Sequence, residues 1–146
     1  MLLPLLTGSL TIVINMVIQV LTVVILIRFL APKQQAYALK TTVFHDTWIL
    51  SFALAVLFAG NLIQCAIWAV LFIFLGEFQI FATAFYHSSV NFASLGYGDI
   101  VMSERWRLLG ALEAANGVLM FGLTAGTMFS MMQRMAQRHQ PKENSQ

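Results

Sequence analysis

Residues 91–100 read NFASLGYGDI, and the chemistry they offer lies in the backbone rather than in any side chain. Gly96 and Gly98 bracket Tyr97, with Ser94 and Leu95 before them and Asp99 after. A dehydrated cation needs its water oxygens replaced by other oxygens that all point toward it. Successive carbonyls of an ordinary strand face opposite ways, so a one-sided stack requires unusual dihedrals at alternate residues. Glycine reaches those dihedrals at little steric cost, which gives the G-Y-G spacing a physical meaning.

The elements that must hold this stretch are apolar. The 146-residue chain is 59% hydrophobic and 10% charged, far below the roughly 25% charged residues of soluble domains. Three segments lack charge for long enough to cross a bilayer, which takes about 20 residues. They run from about Leu10 to Ile27, from Thr47 to Gly76, and from about Leu108 to Met132, the last broken only by Glu113. The first has no basic segment before it and no small-residue cleavage site, so it reads as a retained helix. Between the second and third, Phe78–Ala93 is apolar with scattered Ser, Thr, Asn and His. As a helix this would be roughly 24 Å long, short for a crossing but suited to a re-entrant helix. Non-helical backbone at membrane depth survives only when buried in protein or lining a wet cavity. Such a helix followed by SLGYGD makes a pore loop.

Charge placement suggests an orientation. Arg28, Lys33 and Lys40 follow the first segment, and Arg134, Arg138 and Lys142 follow the third, whereas the stretch from Glu77 to Arg107 is the acid-rich one, with Glu77, Asp99 and Glu104. Basic flanks favour the cytoplasmic side, which puts the N-terminus and the loop around Tyr97 outside and the C-terminus inside. A formal net charge of +2 gives no footing for nucleic acid, and Cys65, the only cysteine, permits neither an internal disulfide nor a cysteine metal cluster.

Ser94-Leu95-Gly96-Tyr97-Gly98-Asp99 resembles the TVGYGD selectivity filter of potassium channels. Residues 47–133 resemble the pore domain of bacterial potassium channels, with the first helix outside the resemblance. The expected fold is therefore an all-α integral membrane protein. It has three transmembrane helices, a re-entrant pore helix and filter loop between the second and third, and tetrameric potassium-channel pore architecture. Residues 1–46 would be an N-terminal helix and cytoplasmic loop, 47–133 the pore domain and 134–146 a short cytoplasmic tail. The resemblance implies that the carbonyls of Ser94, Leu95, Gly96 and Tyr97 coordinate K+ and that the Ser94 hydroxyl closes the innermost site. Tyr86 and His87 stand where the family has aromatic residues bracing the filter, with Tyr97 pointing into that cuff, Gly98 supporting the filter and Asp99 at the outer mouth. A neutral His87 would use one ring nitrogen on the Tyr97 hydroxyl. The implied protein is a homotetramer in the bacterial plasma membrane that passes potassium ions across the lipid bilayer and has no cofactor. Ser94 for threonine and Leu95 for valine leave a weakly selective monovalent cation channel as an alternative, and a non-conducting accessory membrane protein as another.

The third segment carries the gating candidates. Glu113 is an acid inside a span, costly unless paired or wetted. It reads either as a hydrogen-bonded brace near Ser88, Ser89 and Asn91 or as a gating group. Gly117 is the positional match to the family's mid-helix hinge, and it equally suits close packing. Gly122 and Gly126 form a GxxxG pair that suggests helix packing. Asn15 with Gln19, and Asn61 with Gln64, are expected to bond across helices. Ser103 is expected to cap the third helix, and Trp106 and Arg107 to anchor it at the interface. No segment carries arginine at every third position, so no voltage sensor is expected. An enzyme is not expected either: the chain has no GxSxG, no HExxH and no second acid beside Glu113.

Overall fold

The computed structural model of the protein describes residues 2–36 and 43–139. Four helices make up the described residues, with no strand among them: α1 (Leu2–Ala36), α2 (Val43–Phe74), α3 (Phe81–Phe92) and α4 (Leu108–His139). Three of them, α1, α2 and α4, are long and apolar enough to cross a membrane.

α1 starts eight residues earlier than the uncharged run suggests and continues past Arg28. Pro4 lies in its first turn, where backbone N–H groups have no intrahelical partner and a missing one costs nothing. A solvated arginine does not break a helix, so charge marks the edge of the apolar layer and not the end of the helix. Of the basic residues used for orientation, Lys40 and Lys142 lie outside the described residues.

α2 ends at a glycine for a definite reason. Gly76 has φ +78°, its N–H donates to the Ile73 carbonyl, and the Glu77 N–H donates to the Phe72 carbonyl. This is the Schellman arrangement, whose left-handed position glycine fills without Cβ strain. The turn leaves Phe78–Ile80 outside any helix, so α3 begins at Phe81. Its 12 residues are shorter than the apolar run implied.

α1 runs antiparallel to α2 and parallel to α4. Gly8 lies against Leu109 and Leu112, at the end where α4 begins, and Gln19 meets Gln64 and Thr124 farther along. α3 fits between α2 and α4 near that same end, packing on both. Two apolar clusters result. One contains Leu26, Leu30, Leu57 and Met131, and the other Trp68, Phe72, Phe92, Trp106 and Leu109. The outward faces stay apolar as well: Leu10, Val13, Val17, Val20, Leu54, Phe58 and Ile63 are all exposed. An apolar surface this continuous suits hydrocarbon and not water. Within hydrocarbon, apolar contact between helices has no hydrophobic drive, and packing and interhelical hydrogen bonds hold the helices together.

Two expectations for the approach to α4 do not hold. Ser103 does not cap α4, which starts at Leu108; its hydroxyl and N–H instead donate to the two Glu77 oxygens at 2.6 and 2.7 Å. Trp106 is no lipid-facing anchor, because it is buried in the second apolar cluster. Arg105 lies over its ring at 5.2 Å.

Candidate functional site

The loop after α3 has left-handed backbone at every second residue. Ser94, Gly96 and Gly98 have φ of 58°, 61° and 71°. Nothing lies within 4 Å of a Cβ built on Gly96 or Gly98, so glycine is needed there for its dihedral angles and not for space. Alternation between right- and left-handed backbone is what turns successive carbonyls toward one side. The sequence reading anticipated this at the glycines and missed Ser94.

The reason for Ser94 is local. Its N–H donates to the Asn91 carbonyl at 2.8 Å, and the Leu95 N–H donates to the Val90 carbonyl at 2.9 Å. These two bonds form a second Schellman arrangement, with Ser94 in the left-handed position that closes α3. The helix cap thus sets the first dihedral of the loop. A pattern of helix-ending bonds, not residue type, is the signal that would have found it.

Side chains hold the loop from behind. The Tyr86 hydroxyl donates to Asp99 Oδ2 at 2.7 Å, and this bond to a carboxylate raises the phenol above its ordinary pKa. His87 Nδ1 lies 3.0 Å from the Ile100 carbonyl, and Asn91 Nδ2 lies 2.9 Å from His87 Nε2. A carbonyl only accepts and an amide nitrogen only donates, so the ring is neutral with its proton on Nδ1. Burial pulls the His87 pKa below its ordinary value, against smaller opposing contributions from the Ile100 carbonyl, Asp99 and Glu77. Both nitrogens are therefore occupied, and the expected bond from His87 to the Tyr97 hydroxyl does not form within the protomer. Tyr97 instead lies 65% exposed, and Leu95 54%. A cavity of about 430 Å³ separates the loop from α4, bounded by His87, Asn91, Gly98, Met102 and Gly110.

Glu113 is fully buried. The Ser88 hydroxyl oxygen lies 2.8 Å from the Cys65 carbonyl and 2.5 Å from Glu113 Oε1. The Ser88 hydroxyl is the donor facing both acceptors, the Cys65 carbonyl and Glu113 Oε1. The chain of bonds ties α4 through the middle of α3 to the backbone of α2. Gly117 lies farther along α4, where a Cβ would fall 1.8 Å from the Phe92 carbonyl oxygen. Only a glycine lets the end of α3 come so close. Gly122 and Gly126, expected at a helix contact, have nothing within 4 Å of a Cβ in the protomer. Of these three glycines, Gly117 is the closely packed one.

Among the described residues no group of three or more His, Cys, Asp or Glu side chains could hold a metal ion. A family model described as "Ion channel" matches residues 61–134, from within α2 through α3 and the loop into α4, just over half of the chain. α1 lies outside the match. No curated protein and no solved structure matches the chain.

Proposed function

The chain belongs to the ion channel family and is a multi-pass membrane protein, and from that premise we propose that it conducts potassium passively through a pore at the four-fold axis of a homotetramer. The carbonyls of Ser94, Leu95, Gly96 and Tyr97 are the ion ligands in this reading. The observation that carries it is the left-handed backbone at Ser94, Gly96 and Gly98, which fits a stack of carbonyls on one side of the loop. One loop supplies one column of oxygens, and enclosing an ion takes several around an axis.

Three further features support the reading. The C-terminal end of α3, where the helix dipole is negative and attracts a cation, leads directly into the loop. Leu95 and Tyr97 are large side chains left exposed on the protomer, which suits contact with neighbouring copies. Tyr86, His87, Asp99 and Ile100 brace the outer half by hydrogen bonds. The chain would lie in a bacterial plasma membrane, with the loop facing outward and the end of α4 facing the cytoplasm. Weak selectivity among monovalent cations is the second reading, favoured by Ser94, which lacks the methyl group that stiffens a threonine rotamer.

Protein reconstituted in liposomes tests this directly. Potassium flux is expected, with a reversal potential in opposed potassium and sodium that follows potassium. Gly96→Ala places a Cβ on left-handed backbone at a cost of roughly 1–2 kcal/mol per subunit and should abolish flux while leaving membrane insertion intact. Undiminished flux in that variant would remove the carbonyl assignment. A reversal potential near zero under equal concentrations would favour the weakly selective channel.

A further inference from the structure

A cavity of about 660 Å³ lies between the start of α1 and the start of α4. Two membrane-spanning segments begin there, at Leu2 and at Leu108, so the cavity stands where the apolar layer gives way to lipid headgroups. Its walls are of two kinds. Leu3 and Pro4 of α1 and Leu108 and Ala111 of α4 supply apolar surface, and Glu104, Arg105 and Arg107 in the turn before α4 supply charge. The volume falls within the roughly 300–1,000 Å³ of small-molecule sites.

The charged turn is fixed by its own backbone. The N–H groups of Trp106 and Arg107 both donate to the Ser103 carbonyl, at 3.1 and 3.0 Å. Trp106 is buried, and Arg105 lies over its ring, where the face of the indole attracts a cation. Among the described residues no hydrogen bond or ion pair engages the Glu104 carboxylate or the Arg107 guanidinium. One cavity thus presents two guanidinium groups and one carboxylate. The planar arginine fork matches phosphate oxygens, and a carboxylate can only accept, so it calls for a donor. A phosphate joined by a short link to an ammonium group meets all three.

The apolar walls say what carries that headgroup. Leu3, Leu6 and Leu10 recur on one face of α1 and are all exposed. Leu108, Ala111, Ala115 and Val118 recur likewise on α4, the last three exposed. Each stripe leads from the cavity into the hydrocarbon layer, and a phospholipid has two acyl chains to lay along them. We infer that this cavity is a phospholipid site selective for an ethanolamine headgroup, with the phosphate on Arg105 and Arg107, the ammonium on Glu104 and the chains along α1 and α4. A glycerol headgroup would leave Glu104 without an opposite charge, and the quaternary nitrogen of choline has no N–H to donate. The α1 wall lies outside the residues matched by the ion channel family. The site stands whether or not the protein conducts potassium.

Native mass spectrometry of the full chain tests the site. The protein is released from detergent holding equal amounts of phosphatidylethanolamine, phosphatidylcholine and phosphatidylglycerol with identical chains. The ethanolamine lipid should be retained about threefold over either of the others, as suits charge pairs at a solvent-facing site. Arg105→Gln with Arg107→Gln should remove the preference, and Glu104→Gln should remove the discrimination against phosphatidylglycerol. Arg28→Gln with Arg134→Gln, exposed cations toward the other ends of the same helices, should leave it unchanged. Equal retention of the three lipids by the unaltered protein, or retention of none, overturns the inference and means that the cavity ignores headgroups or is covered by a second copy; this arm needs no variant to fold. A preference for phosphatidylglycerol in the unaltered protein overturns it as well, because the site would then read negative charge alone. So does a preference that survives loss of the two arginines or of Glu104, or that vanishes with Arg28 and Arg134, because the lipid would then bind elsewhere.

Discussion

Gly117→Ala tests how α4 meets the pore-loop segment, and its cost follows from one distance. The new methyl would stand 1.8 Å from the Phe92 carbonyl oxygen and 2.7 Å from its carbon, against ordinary contact beginning at 3.4 Å. The two backbones would have to part by about 1.6 Å, the difference between 3.4 and 1.8. No flexible side chain can absorb this, because the obstructing atoms are backbone at the end of α3. Overpacking of this kind costs about 1–3 kcal/mol and sometimes more. A rigid obstacle belongs at the upper end, and alanine returns about 1 kcal/mol in helix propensity. The net is about 2 kcal/mol per protomer, a factor of roughly 30 in the folded ratio. Phe92 lies two residues before Ser94, so any separation displaces the start of the carbonyl column. Thermal melting in detergent together with liposome flux reads both effects, and Gly122→Ala is the control because its Cβ meets nothing in the protomer. Gly117→Ala should melt well below Gly122→Ala and lose flux. If it melts and conducts as the control does, the α3–α4 contact is wrong. If it melts normally and fails only to open, Gly117 acts as a hinge and not as a packing residue.

Two further outcomes follow from the hydrogen-bond chemistry. Glu113→Gln keeps an oxygen to accept from Ser88, so its melting should stay within about 1 kcal/mol of the unaltered protein, whereas Ser88→Ala, which strands both the Cys65 carbonyl and Glu113, should cost about 1–3 kcal/mol; equal losses would mean that the contact depends on the charge of the carboxylate. Burial lowers the His87 pKa below its ordinary 6.5, so the unfolded chain takes up this proton more readily than the folded one. Stability from His87 is intact above 6.5 and falls as the pH drops below it. Melting compared at about pH 8 and about pH 5.5 should show a loss in the unaltered protein that is smaller in His87→Phe. Identical pH responses would show that His87 takes up its proton equally in the folded and unfolded states, and that burial does not lower its pKa.

The apolar runs, the interruption between them and the G-Y-G spacing were legible in the sequence because each follows from local chemistry. A bilayer demands unbroken apolar helices, and left-handed backbone demands glycine. The tertiary structure decided what depends on distance between segments. Gly117 and Gly122 are alike in the sequence, yet only Gly117 has the end of α3 against it. Ser103 resembles a helix cap, but Glu77, 26 residues away, takes its hydroxyl and N–H. His87 looked ready to bond Tyr97, yet the Ile100 carbonyl and the Asn91 amide reach its two nitrogens first. Ser94 adopts left-handed backbone, against the preference of its residue type, because helix-ending hydrogen bonds hold it there. Asn15, Gln19, Asn61 and Gln64 were each visible as expected helix contacts; only packing shows that Gln64 bonds Gln19 and that Gln19 goes on to Thr124 of α4. Residue type limits what a position can do, but which neighbour comes within 3 Å is set by how distant parts of the chain pack.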